Sequence, residues 1–342
     1  MCESTVTASI GVVVRPQKRP AARRVLAGLL ALGVAAGCAA PGAARTTPTA
    51  VVALTPTVVL TATSAPTPTD VLAPPRALRG DLANQVTSLE AIMPGAGSGR
   101  FVVPSQADQA AWAALAARLL NQDIARAGAL AAANSYELLA YSDRGDQGAA
   151  DWILREVKPI RKGWGLYVLR AEPANALIIE APHPLADAGT PGVALAVYRA
   201  LQARALLIAG AHRDANADGS ADAAHTTQSI FQAMHLALTA SGSPIVLQIH
   251  GFAASKHPGY PQIILSHDLG TMTEMLDRLA QALTANGLTV GVCDGKSWTA
   301  LCGETNVQSQ HMRAGLFIHL ELDEAVRAHT EPLLAALALV FK

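Results

Sequence analysis

From residue 176 onward the chain alternates short apolar runs with amphipathic segments, and this limits the architectures open to it. ALIIEA (176–181), ALLIAG (205–210), PIVLQIHG (244–251), QIILSH (262–267), TVGVCD (289–294) and LFIHLEL (316–322) are short, rich in Ile, Val and Leu, and set off by Gly, Pro or polar residues. Such runs read as strands buried on both faces. The segments Pro191–Ala203, Ala221–Thr239, Thr271–Ala285 and Glu331–Val340 carry helical periodicity. The pattern predicts an α/β fold, with a mostly parallel or mixed sheet covered by helices on both faces. Upstream, Ser105 and Asp108 form a capping signature for a helix reaching about Ala127. The runs Tyr136–Tyr141, Trp152–Val157 and Trp164–Arg170 predict a small antiparallel β meander. One folded domain is expected over 79–342, with the helix and meander in 79–172 and the α/β core in 173–342.

The first 78 residues have another character. Arg15, Lys18, Arg19, Arg23 and Arg24 precede an uncharged run, Val25 to Gly37, and then Cys38. A basic region, an apolar stretch and small residues before a cut make a bacterial export signal. Thirteen apolar residues fall short of the about 20 that span a bilayer. Ala36-Gly37-Cys38 resembles a lipobox, which predicts a lipoprotein signal peptide over 1–37 and an extracytoplasmic protein anchored to the cell membrane by lipidated Cys38. Nine Thr and six Pro lie among residues 46–75, with Asp70 the one charge. A segment of that composition buries no core and favours extended conformations, so 38–78 is expected to be a disordered stalk reaching roughly 100 Å.

The whole chain holds 26 basic and 26 acidic residues; loss of 1–37 removes five basic and one acidic, leaving a net charge near −4. That balance argues against nucleic acid as a partner. Oligomeric state is not legible. Four cysteines are too few for a disulfide scaffold. Cys293 and Cys302, outside the cytoplasm, are expected to pair.

All ten histidines fall between His183 and His329. His183, His212 and His250 follow predicted strands, and ligands of α/β sheets bind beyond the carboxyl ends of strands. Imidazole is the commonest metal ligand in proteins. Two His and one carboxylate leave a fourth position open, as in catalytic zinc sites. His319 and Glu321 share one face of their strand, placing His319 where it supports Glu321. Arg213 offers a planar fork for a carboxylate, with Asn216 beside it on the substrate side.

The segments APHPLAD (181–187), GAHRDAN (210–216), ADAAH (221–225), LQIHGF (247–252) and FIHLELDE (317–324) resemble, in their order, the N-formylglutamate amidohydrolase branch of the zinc carboxypeptidase superfamily. The resemblance covers roughly residues 175–342. It implies a hydrolase in which His183 and His250 hold Zn²⁺, Glu321 acts as general base and Arg213 holds a substrate carboxylate. In the carboxypeptidase pattern a Glu follows the first His after two residues. Here Ala186 stands in that place and Asp187 follows it, so Asp187 is the candidate third ligand, with Asp222 and His225 in reserve. The expected reaction is hydrolysis of an amide or peptide bond beside a free carboxylate, and the substrate a small carboxylate-bearing molecule or peptide.

Other readings stay open for the same residues. Asp214, Asn216, Asp218 and Gly219 match the opening of a calcium loop, although His225 stands where that loop needs a Glu; a plain Asp/Asn turn competes. Glu321 with Asp323 and Glu324 also suits an acidic helix start. No G-x-S-x-G elbow supports a serine hydrolase. A non-catalytic lipoprotein binding peptide or cell-wall fragments is the alternative to an enzyme.

Overall fold

The computed structural model describes residues 73–159, 162–267 and 273–342. The expected signal peptide, Cys38 and the stalk as far as residue 72 lie outside the described residues. Among the described residues no helix is long and apolar enough to cross a membrane.

Among the described residues ten strands form one sheet. In chain order they are β1 (Arg76–Gly80), β2 (Tyr136–Asp143), β3 (Ala149–Glu156), β4 (Leu166–Arg170), β5 (Leu177–Ala181), β6 (Ala205–Ile208), β7 (Ile245–Gly251), β8 (Ile263–Ser266), β9 (Val290–Val292) and β10 (Leu316–Leu322). Their spatial order is β1-β2-β3-β4-β6-β5-β7-β10-β8-β9. The central run β6-β5-β7-β10 is parallel. The β2-β3-β4 meander is antiparallel and joins the core through the antiparallel β4–β6 pair. The fold is thus mixed α/β, as the alternation of apolar runs implies. The sheet begins at Arg76, three residues before the expected boundary.

Helices cover both faces. The helices α1 (Leu82–Glu90), α4 (Thr190–Ala200), α6 (Glu274–Ala285) and α9 (Glu331–Phe341) contribute Leu82, Val193, Leu276, Leu279, Leu283 and Leu333 to one core with Leu177, Ile179, Leu247, Ile249, Ile318 and Leu320 of the sheet. On the other face α2 (Gln106–Leu120), α3 (Ile124–Ala133) and α5 (Ile230–Leu238) bury Trp112, Leu115, Leu119, Ile230 and Phe231 over Ile178, Leu207, Val246 and Phe317. Trp112, Leu115, Ala116 and Leu119 keep the i, i+3, i+4, i+7 spacing of a buried helical stripe. The two five-residue helices are α7 (Val307–His311) and α8 (Glu324–Ala328).

Two predicted helices differ from the observed ones. The helix begun by the Ser105–Asp108 capping box ends at Leu120 rather than near Ala127. Gln122 takes a left-handed φ of 59°, and Asp123 accepts bonds from Arg118 and Arg126 as the chain restarts. The helix expected from Ala221 begins at Ile230, capped by Ser229, whose side chain accepts from Gln232 N. Residues 212–225 instead form successive turns, including Ala215 N to His212 O and His225 N to Asp222 O. Asp222 and His225 are drawn into contacts that a continuous helix would forbid.

Strand alternation gives the second face its chemistry. Glu180 in β5, Gln248 and His250 in β7, and His319 and Glu321 in β10 share parity with Ile178, Val246 and Phe317. Pairing of β7 with β10 sets Gln248 opposite His319 and His250 opposite Glu321.

Candidate active site

The cleft opens beyond the carboxyl ends of β5, β7 and β10. After β5 the chain turns through Pro182 to His183, where Asp187 N donates to His183 O at 2.9 Å. That turn folds the Asp187 carboxylate back onto His183, with Oδ2 3.3 Å from Nδ1. The same Oδ2 lies 3.4 Å from Nδ1 of His250 and accepts from Gly251 N at 3.2 Å. Arg327 of α8 braces the surrounding backbone, donating to the carbonyls of Ala188, Phe252 and Leu322. The rings of His183 and His250 are 4.9 Å apart and those of His250 and His319 4.4 Å apart.

Outer partners fix which nitrogens face inward. His183 Nε2 sits 2.8 Å from Asp222 Oδ1, and His250 Nε2 sits 2.8 Å from Gln248 Oε1. Gln248 Nε2 faces two acceptors, Glu180 Oε2 at 2.9 Å and Gln308 Oε1 at 3.2 Å, so its Oε1 is the acceptor toward His250. His250 therefore carries its proton on Nε2 and turns a lone pair toward Asp187. Burial, together with the charge of His183, outweighs the pull of Asp187 and lowers the His250 pKa to about 4. Burial of Asp187 is outweighed by its contacts, that with His183 first, which hold its carboxyl well below the usual range. A bare imidazole nitrogen thus faces an ionised carboxylate oxygen, two electron-rich atoms in want of a cation between them.

The spacing suits one. A tetrahedral ion with bonds of about 2.0–2.1 Å sets its ligands about 3.3–3.4 Å apart, matching the 3.3 and 3.4 Å separations here. His183, Asp187 and His250 converge as a potential metal-holding group, as do His183, Asp222 and His225, and His250, His319 and Glu321. Asp222 occupies the outer nitrogen of His183, which is the orienting position of a carboxylate–histidine–metal arrangement. Burial of Asp222 is outweighed by His183 and His225, which keep it ionised far below its ordinary pKa.

Glu321 is 8% exposed and among the described residues its Oε2 has no hydrogen-bond partner; burial first, then the charge of Asp187, raise its pKa to about 8. Its neighbours Asp323 and Glu324 have separate duties. Asp323 caps α8 through Val326 N, and Glu324 accepts from Ala254 N at 3.0 Å. The acidic helix start therefore uses those two and leaves Glu321 to the cleft. His319 Nε2 stands 3.9 Å from Glu321 Oε1, and burial drives the His319 pKa well below its ordinary value.

The cleft has a volume of about 280 Å³, with Arg213 and His225 on one rim and the 299–306 loop as a wall. Arg213 Nη2 contacts Asp222 Oδ2 at 2.6 Å rather than pairing with Asp214. Cys293 and Cys302 are disulfide-bonded, with Cα atoms 5.8 Å apart. Ser266 Oγ donates to Cys302 O at 2.8 Å, and Gly303, at φ 67°, lies so close to His319 that a Cβ there would stand 2.9 Å from the ring.

The sequence-predicted residues divide. Arg213, His183, His225, His250, His319 and Glu321 line one cleft, and Asp187 and Asp222 touch its histidines. Asn216 does not join them: its Nδ2 donates to Phe101 O and Ser220 Oγ. Of the residues in the alternative calcium reading, Asp218 Oδ1 accepts from the Ser220 backbone and hydroxyl, and the Asp214 side chain is 74% exposed with Oδ2 3.8 Å from His212 Nδ1. Sequence reasoning missed Glu180 and Gln248. A charged and an amide side chain inside the apolar runs LIIEA and IVLQIHG were the available signal, because unpaired polar groups are costly there.

The sequence matches no protein-family model and no curated protein. Solved structures are similar to part of it. A bacteriophage poly-gamma-glutamate hydrolase is 16% identical with a TM-score of 0.34, over 51% of this chain and 86% of that one. An N-formylglutamate amidohydrolase from Ralstonia eutropha is 13% identical with a TM-score of 0.34, over 51% and 96%. A metallo-carboxypeptidase from Burkholderia cenocepacia is 14% identical with a TM-score of 0.33, over 60% and 64%. What the cleft can do follows from its own side chains.

Proposed function

We propose that this protein is a metal-dependent hydrolase that cleaves an amide or peptide bond beside a free carboxylate. The observation that carries the reading is the pair of Nδ1 atoms, on His183 and His250, converging on Asp187 Oδ2 at tetrahedral-edge separations. Those three residues would hold Zn²⁺, the borderline ion suited to two imidazoles and a carboxylate. When bound, Zn²⁺ supplies a Lewis acid that polarises a substrate carbonyl and acidifies water. Without a cation beside it Glu321 keeps its own proton below about pH 8. A cation held next to it at His250 would favour its ionised form. Glu321, across the strand pair from His250, would then take the proton of the attacking water and return it to the leaving amine. Arg213, one N–H engaged with Asp222, has donors left to orient the substrate carboxylate. His319, held neutral, lies beside Glu321 and keeps the base in register.

In the same reading the chain is exported and tethered to the outside of the cell membrane by lipidated Cys38, with the segment from Cys38 to the start of β1 at Arg76 as the tether. The export signal and the Thr/Pro composition support this.

The test is a Glu321→Gln variant assayed against N-acyl amino acids and dipeptides. Turnover should fall by about 10²–10⁴-fold while zinc content stays at the wild-type level. Equal turnover in the variant would overturn the role of Glu321. Wild-type protein that binds peptides without turning them over would make this a binding lipoprotein.

A further inference from the structure

Beneath the cleft lies a polar column that the proposed chemistry does not touch. Glu180, His235, Gln248 and Gln308 are each 0% exposed, on a face otherwise built from Ile178, Val246, Phe231 and Phe317. His235 Nδ1 meets Glu180 Oε1 at 2.8 Å, and Gln248 Nε2 donates to Glu180 Oε2 at 2.9 Å. Gln248 Oε1 then receives His250 Nε2 at 2.8 Å and the amide of Asn306. Strand register makes Glu180 and Gln248 direct neighbours, one layer below His250. A carboxylate buried this deeply is seldom the most stable solution; apolar side chains of similar volume usually serve stability as well or better.

Its value lies in direction. An amide side chain can flip, but a carboxylate only accepts. With Glu180 opposite, Gln248 must present its NH₂ to Glu180 and its carbonyl oxygen to His250. That orientation demands the Nε2–H tautomer of His250 and leaves Nδ1 bare for a cation. A flipped Gln248 would turn N–H toward Nε2, drive the proton to Nδ1 and close that nitrogen to metal. We propose that Glu180, acting through Gln248, is a positioning residue that sets the tautomer of His250 and so opens the metal site. The proposal rests on the reading of His183, Asp187 and His250 as metal ligands.

The experiment is a chelator-competition titration of Zn²⁺ into the full chain, with circular dichroism on each variant. Glu180→Gln should weaken Zn²⁺ binding by about 10–100-fold, the usual effect of removing an outer partner. Gln248→Glu should also weaken it, because two carboxylates would then face each other. The double variant Glu180→Gln/Gln248→Glu restores an amide opposite a carboxylate and should recover at least part of the loss, which a purely structural role would not. Should the single variants fail to fold, Glu180→Leu/Gln248→Met removes the column without stranding a charge and should still bind Zn²⁺ less tightly. Wild-type affinity in a folded Glu180→Gln or Glu180→Leu/Gln248→Met protein would overturn the proposal while leaving the metal site intact. Wild-type chain that binds no Zn²⁺ would instead overturn the metal site itself.

Discussion

Asp222 divides its carboxylate between His183 and Arg213: Oδ1 meets His183 Nε2 at 2.8 Å and Oδ2 meets Arg213 Nη2 at 2.6 Å. One side chain thereby couples the group that would hold metal to the group that would hold substrate. His225 Nδ1, 3.0 Å from the same Oδ1, adds a third neighbour on the rim.

Replacing Asp222 with Ala should therefore act on metal before chemistry. His183 would lose the acceptor that fixes its outer nitrogen, and Zn²⁺ affinity should drop by about 10–100-fold. A chelator-competition titration reads this directly. Turnover measured at saturating Zn²⁺ should recover most of its wild-type value.

Arg213→Lys separates binding from chemistry. A lysine keeps the charge beside Asp222 but loses the planar fork. Loss of one charge-assisted hydrogen bond, about 1.5–3 kcal/mol, corresponds to a rise in KM of roughly 10–100-fold with little change in kcat. The contrast between carboxylate-bearing substrates and their amidated counterparts should shrink in parallel. Steady-state kinetics on matched pairs of the two tests it.

The 299–306 wall supplies Thr299, Leu301, Gly303, Glu304, Thr305 and Asn306 to the cleft and is held at its middle by the Cys293–Cys302 bond. None of the three proposed metal ligands lies in that segment. A Cys293→Ser/Cys302→Ser protein should consequently keep its zinc content yet bind substrate more weakly. A KM increase at unchanged metal stoichiometry is the expected result; metal loss on reduction would contradict it.

Strand order and site followed different signals in the sequence, and that explains what was legible. LFIHLEL, an apolar run between turn residues, predicts β10 with its observed bounds, Leu316–Leu322. RALRG and LANQVTSLE lack such contrast, so β1 and α1 were not foreseen; their burial comes from packing on β2 and α4. Helix propensity over 221–229 gave way to the contacts of Asp222 and His225 with His183 and Arg213, a tertiary demand that no local pattern records. At the site the histidine-bearing strand ends were visible. Which nitrogen of His250 carries the proton was not, since in the reading proposed above that is set by Glu180 and Gln248, paired across strands far apart in the chain.

A final prediction concerns stability, away from the cleft. Asp151 in β3 is 2% exposed; its Oδ1 accepts from Tyr198 OH at 2.6 Å and, among the described residues, its Oδ2 has no partner. Burial, only partly offset by Tyr198 and Arg170, raises its pKa to about 6. The native state therefore holds a proton that the unfolded chain has released between about pH 4 and 6. Stability falls as pH climbs through that window, by about 3 kcal/mol from this group alone. Asp187 and Asp222, whose folded pKa values are depressed, act oppositely and at lower pH: their contribution is lost as pH falls below about 4. Asp151→Asn keeps an acceptor for Tyr198 and removes the titration. Denaturant unfolding of both proteins should show the variant gaining on wild type steadily from pH 4 to 6 and holding a constant margin above pH 7. A margin independent of pH would mean that Asp151 ionises in the folded chain as it does in water.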